Sequence, residues 1–298
     1  MPTKYNLFAT VLTYPAPSSN YRGESEENRT VLQKINKGGK NYPVISSDAM
    51  RNALREILAK MGLPCNRKRL HDKKQLAVEY TSFPDAFKFI DDFFFGFMIV
   101  DSQAIAKHPK LAPKRVGVLR MNMAVATSPY RHDATFHQAP LNAGQSPWQN
   151  AKTVVLLHRE TNYTAFQYAF ALSGEDCKQA DPKWSKGLLE AIGQLNGVAG
   201  GHSRNYYEMA PASIVIRLTP SLIAGFNTYG FTEAGEFPEL SRISSDDLPG
   251  NEFWLAGEIV RNMGAEEKLR LKKEGVKLQA NPQKLLAEIA DHWLEGKE

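Results

Sequence analysis

Met50, Ala53, Leu54, Ile57, Leu58 and Met61 recur at spacings of three and four, and no other pattern constrains the fold of this chain so tightly. Ser46 or Ser47 can cap the helix they predict, and Gly62 followed by Pro64 ends it. A second amphipathic helix is predicted in PKWSKGLLEAIGQLNG, with Pro182 near its start and Trp184, Leu188, Ile192 and Leu195 on one face. Strand-like runs surround both helices. They are YNLFATVLTY (residues 5–14), KRVGVLRMNMAVAT with a phase slip near Leu119, KTVVLLHRE, YTAFQYAFAL and ASIVIRLT. The order strand, helix, strands, helix, strand predicts an α+β fold, the split βαβ arrangement of a ferredoxin-like or RRM-like sheet. Many functions share that sheet, so the side chains must decide among them.

The segments between these elements are long. Residues 15–41 are polar, glycine-bearing and without period, which predicts a long loop. CNRKRLHDKKQ gathers Arg67, Lys68, Arg69, Lys73 and Lys74 and reads as a solvated basic loop. The phenylalanines of FPDAFKFIDDFFFGFMIV read as core. SPYRHDATFHQAPLNAGQSPWQN, flanked by strands, predicts a projecting hairpin or arm, and the last third turns acidic and helical from about residue 265.

With 42% hydrophobic residues in 298, the chain can bury a sizeable core, and one main domain with insertions is expected. No stretch approaches the roughly 20 apolar residues of a membrane helix, and the N-terminus lacks a signal-peptide cleavage pattern, so a cytoplasmic protein without a membrane partner is expected. Cys65 and Cys177, alone and far apart, argue against a disulfide framework or a cysteine-rich metal site. The seven histidines form no HExxH motif, and neither GxSxG nor a Walker loop is present; no metal or cofactor is expected.

Charge is distributed unevenly. Residues 1–232 carry 28 Lys+Arg against 18 Asp+Glu, whereas residues 233–298 carry 9 against 14. A basic body suits a polyanion, through counterion release from phosphates, and equally suits solubility alone. The first helix sharpens the question. Arg51 and Arg55 are four apart, so they are expected side by side along the edge of the apolar stripe, near a helix start with free N–H groups and the Ser46 and Ser47 hydroxyls. Cations there oppose the helix dipole, a conflict that a bound anion would remove.

GGKNYPVISSDAMRNALR, residues 38–55, resembles the N-terminal signature of the backbone subunit of type I CRISPR Cascade complexes, in the RAMP superfamily: a Gly-Gly-Lys loop, Ile-Ser-Ser, then a helix with two cations four apart. DDFFFGFM is similar to that family's acidic-aromatic stretch, with Phe97 where some members have a basic residue. RMNMAVATSPYRHDATF and LHRETNYTAFQYAFAL resemble its DevR-like branch, type I-B. Asp48 and Ala49 stand where other relatives have serines, so contacts at the helix start need not be the same.

The resemblance implies an RRM-like palm over residues 1–232, with inserted fingers (approximately 62–112) and a thumb (approximately 127–152), and residues 233–298 as an acidic segment packed on the palm. It implies a non-catalytic subunit whose copies polymerise along one guide RNA, beside other Cascade subunits, and present the guide to target DNA by base pairing. Lys40, Ser46, Ser47, Arg51 and Arg55 are then the expected guide-backbone contacts, with Asn20, Arg22, Arg67 and Lys68 beside them and Arg131 and His132 in the arm. Three alternatives stand. One is an RNA-processing endoribonuclease of the same superfamily using His202, another a type III backbone cleaving target RNA through Asp48 or Asp133, and the last a small-molecule enzyme whose charge is incidental.

Overall fold

The structure, a computed structural model, describes residues 5–19, 21–26, 29–71, 76–140, 154–198 and 206–295. Its centre is a nine-stranded mixed sheet of β1 (Asn6–Leu12), β2 (Lys34–Lys37), β3 (Lys40–Ile45), β4 (Arg120–Met121), β5 (Ala124–Ala126), β6 (Phe166–Leu172), β7 (Ser213–Thr219), β8 (Phe253–Gly257) and β9 (Lys277–Gln279). The spatial order is β9-β8-β7-β1-β6-β5-β3-β2, with β4 also on β6. All pairs are antiparallel except β8 with β9. Among the described residues, helices α1 (Ser47–Lys60), α2 (Ile90–Phe95), α3 (Pro182–Gly193) and α4 (Pro282–Glu295), with the short helix Gly174–Cys177, share a core with this sheet.

Both faces of the sheet are covered, and the period of two shows why. Leu7, Ala9 and Val11 join one core with Leu54 of α1, Phe93 of α2, Leu188 of α3 and Leu286 of α4; Leu12, Val215 and Leu255 point the other way, into a core built with Phe226, Phe237 and Leu271. A strand buried on both sides reads as a mostly apolar run, which is how β1 and β7 look in the sequence. On the second face the buried Gln167 side chain behaves like a piece of backbone. Its Nε2 donates to Phe231 O at 3.2 Å and its Oε1 accepts from Phe231 N at 3.1 Å, fixing the segment after β7 to the sheet.

The two predicted helices are present, and Ser46 is the residue that caps α1: its Oγ accepts from Ala49 N at 3.2 Å. The predicted phase slip is a break into three short strands, Lys114–Val116, β4 and β5. Two expectations are overturned. Residues 15–41 are not a long loop but carry strands Ala16–Ser18, Tyr21–Glu26, Arg29–Leu32 and β2. Two of them find partners far along the chain, Ala16–Ser18 on Asn162–Thr164 and Arg29–Leu32 on Val154–Glu160, while Tyr21–Glu26 pairs with Arg29–Leu32 and β2 with β3; their sequences mix polar and apolar residues, so no local apolar period announces them. The basic stretch after α1 is likewise a hairpin, Arg67–His71 with Leu76–Tyr80. The arm is a hairpin of Ala134–Pro140 and Val154–Glu160, extended by Arg29–Leu32 and Tyr21–Glu26 into a four-stranded sheet. No helix among the described residues is long and apolar enough to cross a membrane.

Candidate nucleic-acid interface

The hairpin β2–β3 turns through Gly38 (φ 59°) and Gly39 (φ 76°), two consecutive left-handed residues as a tight two-residue hairpin requires. A Cβ at either position would meet nothing within 4 Å, so glycine is there for the backbone and not for packing. The turn brings Lys37 and Lys40 opposite each other, and Lys40 is exposed.

Lys40 and Asn41 form one wall of a cleft of about 640 Å³ whose other walls include Tyr130, Arg131 and Asp133, at the root of the arm. Tyr130 N donates to Asn41 O at 2.7 Å, so the turn and the arm root are directly joined. Behind them Lys34 Nζ lies 4.0 Å from the Tyr130 ring centre and 2.8 Å from Glu160 Oε2, which also accepts from Leu32 N at 3.1 Å. Burial alone would raise the Glu160 pKa. Hydrogen bonds from Lys34 and Leu32 and the Lys34 charge outweigh it, and the carboxyl is held below the usual glutamate range.

At the start of α1, Arg51 is partly exposed; its Nη1 lies 3.2 Å from Asp48 Oδ1 and its Nη2 donates to Met121 O at 3.2 Å. Arg55 does not project beside it. It is 8% exposed, with its guanidinium carbon 4.7 Å above the Phe95 ring centre, Nη1 donating to Asn52 Oδ1 at 2.7 Å and Nε 3.9 Å from Asp91 Oδ2. Burial, then the charge of Arg67, lower its pKa to about 10 against the opposing pull of Asp91. The inward turn follows from the α2 sequence, which supplies an aromatic face and a carboxylate where Arg55 passes.

The Asp91–Asp92 pair holds the base of the basic hairpin. Asp91 accepts from Asn66 N at 2.8 Å and Arg67 N at 3.0 Å; Asp92 accepts from Asn66 Nδ2 at 2.8 Å and Asp85 N at 3.0 Å. Both are almost fully buried, and burial raises the Asp92 pKa. Arg67 is half-buried, bonded to the Tyr80 hydroxyl and stacked on that ring, whereas Lys68 is exposed. Arg131 and His132 are exposed at the arm root, His132 6.4 Å from the Tyr130 ring. Ser47 opens α1 at a half-buried position, and Arg22 belongs to the strand Tyr21–Glu26. Asn20 and His202 lie outside the described residues.

The structure therefore brings Lys40 and Arg131 together in one cleft, leaves Arg51 at the helix start and withdraws Arg55. Sequence reasoning missed Lys34, Tyr130 and Glu160, whose signal is a contact across 126 residues, and Tyr163, whose signal was local: an aromatic alternating with the polar Asn162 and Thr164.

These features define a class: a mixed α/β protein with a large two-faced sheet, a separate four-stranded arm sheet and a cation-bearing cleft at the arm's root. No protein-family profile matches the chain. The CRISPR-associated protein Cas7/Cst2/DevR of Myxococcus xanthus (strain DK1622) is 31% identical over 274 residues, 88% of this chain and 90% of that protein. A solved chain of a CRISPR RNA-guided surveillance complex in a pre-nicking state shares the fold at a TM-score of 0.60 with 11% identity, over 97% of this chain and 100% of that one. A chain of another CRISPR RNA-guided surveillance complex superposes at 0.57 with 12% identity, over 96% and 98%. The chain belongs to the Cas7/Cst2/DevR family of CRISPR-associated proteins.

Proposed function

We propose that this protein is the guide-RNA-binding backbone subunit of a type I CRISPR surveillance complex of the Cascade kind, a cytoplasmic scaffold without catalysis of its own. Copies of it line up along one guide RNA, beside other subunits, and the guide pairs with target DNA. In this reading β1, α1, β5, β6, α3 and β7 are an RRM-like palm, since the four strands lie in the order β7-β1-β6-β5 with both helices on one face. Residues 62–112 act as fingers, the arm around residues 127–152 as a thumb, and the acidic residues 233–298 brace the palm.

The observation that carries the proposal is the cleft where the Gly38-Gly39 turn meets the arm root, because it puts two unburied cations, Lys40 and Arg131, on facing elements. Phosphate contacts of that kind hold a strand without reading its sequence. Lys40, Arg131, Arg51, Ser47 and Lys68 are the contacts proposed from exposed or half-exposed positions, with Ser46 and Arg55 shaping the helix start behind them, and Asn20, Arg22, Arg67 and His132 alongside. The test is the protein purified with and without a CRISPR array. Nucleic acid should co-elute with protein of high assembly size only in the first case, and Lys40→Ala with Arg131→Ala should flatten the dependence of guide affinity on salt by about one unit per lost phosphate contact. Equal elution in both cases, or an unchanged salt slope, refutes it.

A further inference from the structure

Tyr163 is 68% exposed, yet it is not on a loop. It lies in the strand Asn162–Thr164, paired with Pro17, between two neighbours that are 8% and 3% exposed. The pleat turns Asn162 and Thr164 inward and leaves the Tyr163 ring standing on fixed backbone, on the wall shared by the cleft of about 640 Å³ and an adjoining one of about 290 Å³. An aromatic side chain two-thirds exposed at the junction of two clefts offers an open face that a planar ligand can reach.

Asn162 gives a second, independent sign. It is more than nine-tenths buried in the wall of the same cleft, and its Nδ2 has no hydrogen-bond partner among the described residues. An unpaired buried donor is costly, and here it marks a polar strain point in the backbone wall that carries Tyr163. The cleft also has carboxylates, Asp133 and Glu233, beside its cations. They would repel a second phosphate, which limits the occupant to one phosphate with its base and sugar. The volume falls in the range of small-ligand pockets.

We propose that this cleft seats a single nucleotide of the bound strand, its base stacked on Tyr163 and its phosphate between Lys40 and Arg131. The inference rests on the RNA-binding reading and names the residue that grips a base within it. Stacking tolerates any base because every base has a π-face, and it releases no counterions, so it separates experimentally from phosphate contact.

The test is binding of a labelled single-stranded oligoadenylate to the full chain across a salt series, with thermal unfolding of each variant. Tyr163→Ala should unfold like the parent and bind roughly ten-fold more weakly at every salt concentration, with the slope unchanged. Tyr163→Phe should bind within about two-fold of the parent. Unchanged affinity in Tyr163→Ala, while Lys40→Ala with Arg131→Ala flattens the slope, overturns the stacking seat and leaves the RNA-binding reading standing. A flattened slope in Tyr163→Ala overturns it too, since the ring would then act by placing the cations. If neither variant set changes binding, the cleft is not an RNA site, and both ideas fail.

Discussion

Lys34 Nζ and Glu160 Oε2 meet at 2.8 Å, joining the hairpin that carries the Gly-Gly turn to the last residue of the arm's second strand. Leu32 N donates to the same oxygen, so one buried carboxylate satisfies two donors that the fold would otherwise strand. Glu160→Gln keeps the shape and removes the charge. It should weaken the arm's attachment by about 1.5–3 kcal/mol, the range for hydrogen bonds to charged groups. Hydrogen exchange checks this: amides of Val154–Glu160 should lose protection while those of β1 and β7 keep theirs.

The same carboxylate sets a pH dependence. Its folded-state pKa lies below the unfolded value, so its stabilisation is fully present above about pH 4.3 and is lost as pH falls through the folded pKa. Asp92 has the opposite sign. Its pKa is raised, chiefly by burial, so the folded state holds a proton that the unfolded state has released, and stability falls as pH rises from the unfolded aspartate pKa to the folded one. Asp92→Asn keeps an acceptor for Asn66 Nδ2 and Asp85 N and removes the buried charge, whose Oδ1 has no hydrogen-bond partner among the described residues. The variant should match or exceed the parent's stability at neutral pH and lose that fall; denaturant titrations across the acid range measure both.

Gly38 and Gly39 make a prediction about conformation alone. With open space around both, alanine costs only the left-handed backbone, about 1–2 kcal/mol per residue, and asparagine at the same positions costs less. The order glycine, asparagine, alanine should appear in unfolding midpoints. Guide affinity should fall in the same order, because the turn aims Lys40.

How far the sequence carried depended on the distance between cause and effect. Helix α1 was legible down to its cap because Ser46, Met50, Leu54 and Gly62 act within a few residues of one another. Strands β1, β6 and β7 were legible because burial on both faces leaves a mostly apolar run, interrupted only by single polar residues such as Thr10, Gln167 and Arg217. Residues 15–41 were not, since Ala16–Ser18 and Arg29–Leu32 are tied into the fold through partners more than a hundred residues away, and the local pairing of Arg29–Leu32 with Tyr21–Glu26 carries no apolar period. Lys40 and Arg131 could be nominated singly, but their shared cleft depends on the Tyr130–Asn41 hydrogen bond. Arg55 was misplaced for a related reason: a helical wheel gives the side a residue leaves from, and Phe95 with Asp91 decides where its guanidinium ends.

Arg51 and Arg55 should therefore separate when each is truncated. Arg55→Ala removes the cation beside the buried Asp91 and opens space under Phe95, and breaking a buried pair from one side costs on the order of 3 kcal/mol. Its loss of guide affinity should track the fraction unfolded and recover with a stabilising co-solvent. Arg51→Ala breaks a rim contact with the exposed Asp48 and one hydrogen bond to Met121 O, so stability should fall by about 1–2 kcal/mol, less than in Arg55→Ala. Its guide affinity should fall with the protein fully folded, and the salt slope should drop by about one. Equal losses of stability in the two variants would mean that Arg51 is a structural residue of α1, and the phosphate contact assigned to it would have to move to Lys40 and Arg131.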